Sequence, residues 1–199
     1  MGFDLSRLKR CGVDVRIGSN VVISYPEQVS IGDHVAIDDF TYITTSLDLG
    51  SYIHIGPHCS IIGGKSGSCV MEDFSGLAAG CRLVCVSGDF YGSGLIHPFV
   101  PPGLRGDLHG APITFKKFAI LGTGSIVHPG VTFGEGAAAG SASLVLKDLE
   151  PWSVYLGVPA QFHKPREKET LLRYEQEIRG RHLAHPQVRD RSHSSTGAA

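Results

Sequence analysis

Large apolar residues recur every six positions along most of this chain, and no other feature restricts its fold as much. The series runs Ile17, Ile23, Ile31, Ile37, Ile43, Leu49, Ile55 and Ile61, continues at Met71, Leu77 and Leu83, and returns as Phe115, Leu121, Val127, Phe133, Ala139 and Val145. Two positions before each stands a mostly smaller residue: Val15, Val21, Val29, Val35, Thr41, Leu47, Ile53, Cys59, Cys69, Ser75, Cys81, Ile113, Ala119, Ser125, Val131, Ala137 and Ser143. None of these is charged. Alternation by two means strand, because successive side chains point to opposite faces. Recurrence by six means that each strand is very short and ends in a turn. Three such strands close one triangular coil, and the large residues of successive coils stack into an apolar column. An amphipathic helix is excluded, because this spacing does not keep the apolar residues on one face at 3.6 residues per turn.

Breaks in the period mark where the chain leaves the coil. Two extra residues fall between Ile23 and Ile31, and four between Ile61 and Met71, where Gly63, Gly64 and Gly67 supply slack. A longer excursion, residues 87 to 111, carries Pro98, Pro101, Pro102 and Gly103. A loop of that length inside a solenoid is more often functional than accidental. The expected organisation is a lead-in over 1–14, an all-β solenoid over 15–149, a crossing segment and helix within 150–180 and a disordered tail over 181–199. The helix is expected from 164 to 180, with a weak stripe of Leu171, Leu172 and Ile178.

The charges balance, with 18 basic and 19 acidic residues spread through 199. No global field therefore points to nucleic acid or to an anionic membrane. No apolar run approaches the roughly 18 residues of a membrane span, and the start has no signal-peptide core, so a cytoplasmic address is expected. The five cysteines, Cys11, Cys59, Cys69, Cys81 and Cys85, lack metal-type spacing and read as reduced, buried small residues.

Four stretches carry a family likeness: Leu121-Gly122-Thr123-Gly124, Val127-His128-Pro129-Gly130-Val131, Gly140-Ser141-Ala142-Ser143-Leu144-Val145-Leu146-Lys147-Asp148 and Gly157-Val158-Pro159-Ala160. Together they make Ile113 to Arg166 resemble the C-terminal half of hexapeptide-repeat acetyltransferases of the galactoside, maltose and xenobiotic group, and the likeness reaches back more weakly to about Ile17. His54-Ile55, Met71 to Gly76 and Asp89-Phe90-Tyr91-Gly92 look like a branch that modifies polysaccharide precursors and nucleotide sugars. The resemblance implies a left-handed parallel β-helix, a homotrimer, and acetyl-CoA in a groove between neighbouring subunits. It further implies that Thr123, Ser141, Leu146 and Lys147 contact the CoA. Lys147, Lys164 and Arg166 could also meet its phosphates as fixed cations. No metal is expected.

Acyl transfer from a thioester needs a positioned acceptor, a group to take its proton and a donor for the developing oxyanion. Histidine suits the proton near neutral pH. His34 and His58 sit at turns. His54, between the inward residues Ile53 and Ile55, points outward from a rigid strand and is the first candidate for general base. Asp89 is the best candidate to orient that histidine or bind the acceptor, and His97 in the loop is a substitute base. The galactoside-type enzymes carry their catalytic histidine near the start of this loop, where this chain has Gly88-Asp89. The expected activity is acetyl-CoA-dependent transfer to a sugar amine or hydroxyl. Two rivals share the fold: a metal enzyme of the γ-carbonic anhydrase type, which would need a histidine triad, and a non-catalytic scaffold.

Overall fold

The structure, a computed structural model, describes residues 3–184. It is the left-handed parallel β-helix expected, with about seven coils. The first face stacks Arg10–Cys11, Val29–Ile31, Ser46–Leu49, Ser68–Met71, Ile113–Phe115 and Thr132–Phe133. The second stacks Arg16–Ile17, Ala36–Ile37, His54–Ile55, Gly76–Leu77, Ile120–Leu121, Ala138–Ala139 and Ser153–Leu156, with Gln161–Pro165 added antiparallel at its end. The third holds Val22–Ile23, Tyr42–Ile43, Ser60–Ile62, Arg82–Val84, Ile126–Val127 and Leu144–Val145. Every coil-to-coil pairing is parallel and in register, so Ile31 lies beside Leu49, Leu49 beside Met71, Met71 beside Phe115 and Phe115 beside Phe133.

The hexad residues are the core. From Ile23 to Val145 every large member is buried, and so is every smaller member from Val21 to Ser143. Phe115 and Phe133 stack with ring centroids 4.2 Å apart. Several polar members are tolerated because they donate to a carbonyl. Thr41 Oγ1 reaches Gly56 O at 3.2 Å, and Ser125 Oγ reaches Gly140 O at 2.9 Å while accepting from Ser143 N at 3.0 Å.

Two devices hold the corners. Carboxylates tie one coil to the turn of the coil before it: Asp33 accepts from Val13 N, Asp39 from Asn20 N and Asp73 from Ser51 N, each at 2.8 Å. Along one edge, His34, Tyr52, Phe74, Phe118 and Trp152 all adopt left-handed backbone angles, and their rings form a ladder with successive centroids 4.7, 4.9, 5.3 and 5.9 Å apart. Left-handed backbone disfavours such residues by about 1 kcal/mol each, and ring stacking of about 0.5–1.5 kcal/mol per pair offsets it. Gly136 occupies the same corner between Phe118 and Trp152. A Cβ there would lie 2.4 Å from the indole, so only glycine lets the Trp152 ring reach across.

Four expectations change. The coil begins at Arg10 rather than 15 and takes in Ser153–Leu156 beyond 149. Among the described residues no coil lies beyond that of Lys9 and Cys11, which break the apolar pattern; Leu8 is buried at that end, with Phe3 and Leu5 partly packed against the core. Cys11 is exposed there, while the other four cysteines are buried, and all five are free. The helix spans Glu169–Ala184 instead of 164–180, since Gln161–Pro165 is strand and Pro165 disfavours helix in the residue before it. The chain divides after Arg166, and the helix, with Arg179 bound to Glu175 at 2.7 Å, belongs to the second unit. The tail expected over 181–199 overlaps that helix through Ala184, and its remainder lies outside the described residues.

The 87–111 excursion is an arm with a stem. Val86–Gly88 and Leu108–Gly110 pair antiparallel, because both ends leave the same coil edge and must run side by side. At its root, Asp89 accepts from Tyr91 N at 2.9 Å and Ser93 N at 2.7 Å. Further out, Arg105 Nη2 donates to Pro98 O at 2.8 Å. Phe90, Tyr91, Leu95, Ile96, Phe99, Leu104 and Leu108 are all exposed.

Candidate active site

The second face holds His54, the first candidate for the base. Its outward positions, read along the stack in register, are Arg16, Ala36, His54, Gly76, Ile120 and Ala138. His54 is the one residue in that column able to take a proton near neutral pH. Its neighbours on the adjacent coils, Ala36 and Gly76, are too small to crowd the imidazole, so a groove opens on each side of it. Toward the N-terminus lies a groove of about 650 Å³ lined by Arg16, His34, Asp38, Asp39, Tyr52 and His54. Toward the C-terminus lies one of about 510 Å³ lined by His54, Gly76, Ala78, Ile120, Ala138 and Ser141. The first is rich in charged and titratable groups, whereas the second is bordered by small and apolar ones. His54 lines both.

Within one chain, the carboxylate beside the imidazole is not that of Asp89. His54 Nε2 lies 2.8 Å from Asp38 Oδ2, on the preceding coil. Asp89 is bonded within the arm. It is only 5% exposed, and the Ser93 and Tyr91 backbone N–H groups hold its carboxyl down at about 2. Its nearest histidine is His109, at 3.9 Å. His97 is also engaged within the arm, where its Nδ1 accepts the Phe99 backbone N–H at 3.2 Å. A backbone N–H can only donate, so in this arrangement the neutral His97 ring carries its proton on Nε2. His58 lies under the Phe40 ring, with centroids 5.0 Å apart.

The residues expected to contact CoA are dispersed along the C-terminal coils. Thr123 and Ser141 occupy the same corner on successive coils, where Ala142 N donates to Thr123 O at 2.8 Å, and Ser141 lines the groove it shares with His54. Leu146 and Lys147 line a separate hollow of about 250 Å³ with Asp148, Tyr155, Pro159 and Gln161. Lys164 is exposed on the terminal antiparallel strand opposite Val154. Arg166 is half-buried on the aromatic edge, where Nη1 donates to Phe118 O at 2.8 Å and Gly136 O at 2.9 Å. Those carbonyls tie it to the ladder through Nη1.

Asp38 was not singled out by its sequence. It sits sixteen residues before His54, two short of the eighteen-residue coil, and laying the hexads coil over coil would have brought the two together. Among the described residues, no group of three or more His, Cys, Asp and Glu side chains is arranged to hold a metal ion.

An outward histidine between two grooves on one face of a parallel β-helix is the geometry to set beside known proteins of this fold. The chain belongs to the hexapeptide-repeat acyltransferases. It is 32% identical over 174 residues to the dTDP-4-amino-4,6-dideoxy-D-glucose acyltransferase of Escherichia coli, covering 86% of each chain. Among solved structures it is similar to AntD, an N-acyltransferase from Bacillus cereus, in complex with dTDP and 3-hydroxybutyryl-CoA, with 31% identity, a TM-score of 0.84 and coverage of 89% of this chain and 93% of that one. A variant of AntD holding dTDP-4-amino-4,6-dideoxyglucose and coenzyme A matches at 30% identity, with a TM-score of 0.82 and coverage of 87% and 92%. No protein-family model matches.

Proposed function

We propose that this chain moves an acyl group from acyl-CoA to the amine of a nucleotide-linked amino sugar, by direct attack in a ternary complex with His54 as general base. The observation that carries the reading is the position of His54 at the junction of two grooves of unlike chemistry. The C-terminal groove, with Gly76, Ala78, Ala138 and Ser141, suits a thin amide-bearing arm. The N-terminal groove, with Arg16, Asp38, Asp39 and Tyr52, suits a polar, phosphate-bearing acceptor. The relative of known acceptor, which covers 86% of the chain, supports an amine over a hydroxyl.

In this reading the neutral sugar nitrogen attacks the thioester carbonyl, and its proton passes to His54. Collapse of the tetrahedral adduct breaks the C–S bond, and the proton leaves with the thiolate as free thiol. The working unit is a homotrimer, in which the exposed arm meets a neighbouring copy, and the location is the cytoplasm. Among the described residues no helix is long and apolar enough to cross a membrane. The test is acyl-CoA consumption against a panel of dTDP-linked and UDP-linked amino sugars and free galactosides. Turnover confined to an amino sugar carrying a nucleoside diphosphate supports the reading; turnover only with glycoside hydroxyls overturns the acceptor.

A further inference from the structure

We infer that Asp38 is a positioning residue that selects which nitrogen of His54 takes the proton. This rests on the reading of His54 as general base and names the group through which that base is set. The Asp38 carboxylate reaches Nε2 at 2.8 Å. A carboxylate only accepts hydrogen bonds, so Nε2 must carry the hydrogen, and the lone pair of the neutral ring then lies on Nδ1. Without such a partner an exposed imidazole exchanges between tautomers and rotates about its χ angles, and only part of the population presents a base in the right place.

The surroundings favour this role over a stabilising one. The two side chains are 62% and 44% exposed, and an ion pair that open to water adds little to stability. Asp38 follows the buried Ile37 at the corner of one coil, and His54 stands on the strand directly above Ala36. The contact therefore crosses two coils that the Ile37 and Ile55 pairing already holds rigid. Asp38 also lines the N-terminal groove, on the acceptor side of the imidazole. Asp89, the partner expected for His54, is bonded to the Tyr91 and Ser93 N–H groups within the arm of the same chain.

The experiment compares Asp38→Ala, Asp38→Glu and His54→Ala as full-length chains. Two-bond proton–nitrogen spectra of the labelled imidazoles read the tautomer, and steady-state kinetics are run with both substrates. In the parent protein His54 is expected as the Nε2–H form. Asp38→Ala should mix the tautomers and lower kcat about ten- to a hundredfold, with both KM values within about threefold. Asp38→Glu, which keeps the carboxylate, should restore part of kcat. A parent His54 protonated at Nδ1, or an Asp38→Ala enzyme with unchanged kcat while His54→Ala is inactive, overturns the inference. Unchanged turnover in His54→Ala would instead remove the base itself, and the spectra would still decide whether Asp38 fixes the ring.

Discussion

The coil and the arm are built on opposite rules. In the coil each side chain meets its own kind one turn away, about 4.8 Å along the axis, so a residue type chosen once is reinforced by every repeat. In the arm, no residue between Tyr91 and Pro102 repeats a position, and order comes from single hydrogen bonds: Asp89 to two backbone N–H groups, Arg105 to the Pro98 carbonyl. The coil buries its large apolar residues, whereas the arm displays Phe90, Tyr91 and Phe99 to solvent. Redundancy makes the coil a rigid support on which one histidine can be aimed. Its absence makes the arm dependent on a few polar contacts.

The sharpest way to break the contrast is to place a charge in the column. Ile37→Asp, at a position 2% exposed, should cost several kcal/mol, on the order of a buried unpaired charge. Circular dichroism and thermal melting would register a chain that no longer folds cooperatively; a melting point near that of the parent would mean that the column is not the core. The outward side of the same coils should respond in the opposite sense. His54→Ala is expected to lower turnover roughly 10²-fold or more while melting with the parent protein. Normal turnover with a normal melt would remove His54 from the chemistry.

At the corners, Gly136→Ala should cost about 1–3 kcal/mol, because it adds a left-handed alanine and drives a methyl into the Trp152 ring. Tryptophan fluorescence would follow the displaced indole, and an unchanged spectrum and melt would count against the ladder. The smallest effect is expected in the arm. Asp89 has a carboxyl held down to about 2, so its stabilising contribution is fully present above the unfolded value of about 3.9 and is lost as pH falls through about 2. Between pH 4 and 2, limited acid-protease cleavage should rise within residues 89–107 before the coil is cut. Cleavage at a constant rate through that window would show that Asp89 does not hold the arm.

The hexads, the inward pairs and the outward aim of His54 could all be read from the chain, because a repeat converts local periodicity directly into packing. So could the start and end of the excursion, marked by the loss of that period. The pairing of His54 with Asp38 needed the coils laid in register, and the bonds of Asp89 to Tyr91 and Ser93, or of Arg166 to the Phe118 and Gly136 carbonyls, needed the structure. The first crosses two successive coils, the second is a local turn within the arm, and the third depends on where a long side chain finds its carbonyl. Cys11 shows the same limit at the end of the stack, where a hexad position lies exposed with no further coil over it among the described residues.

What this amino-acid order determined alone was a three-sided solenoid with an outward histidine on one face, since burial every sixth residue restricts the packing to a stack of short strands. What only the tertiary structure decided was the partner of each polar group on that surface. Apolar burial is non-directional and averages over many residues, whereas a hydrogen bond requires two particular atoms about 3 Å apart.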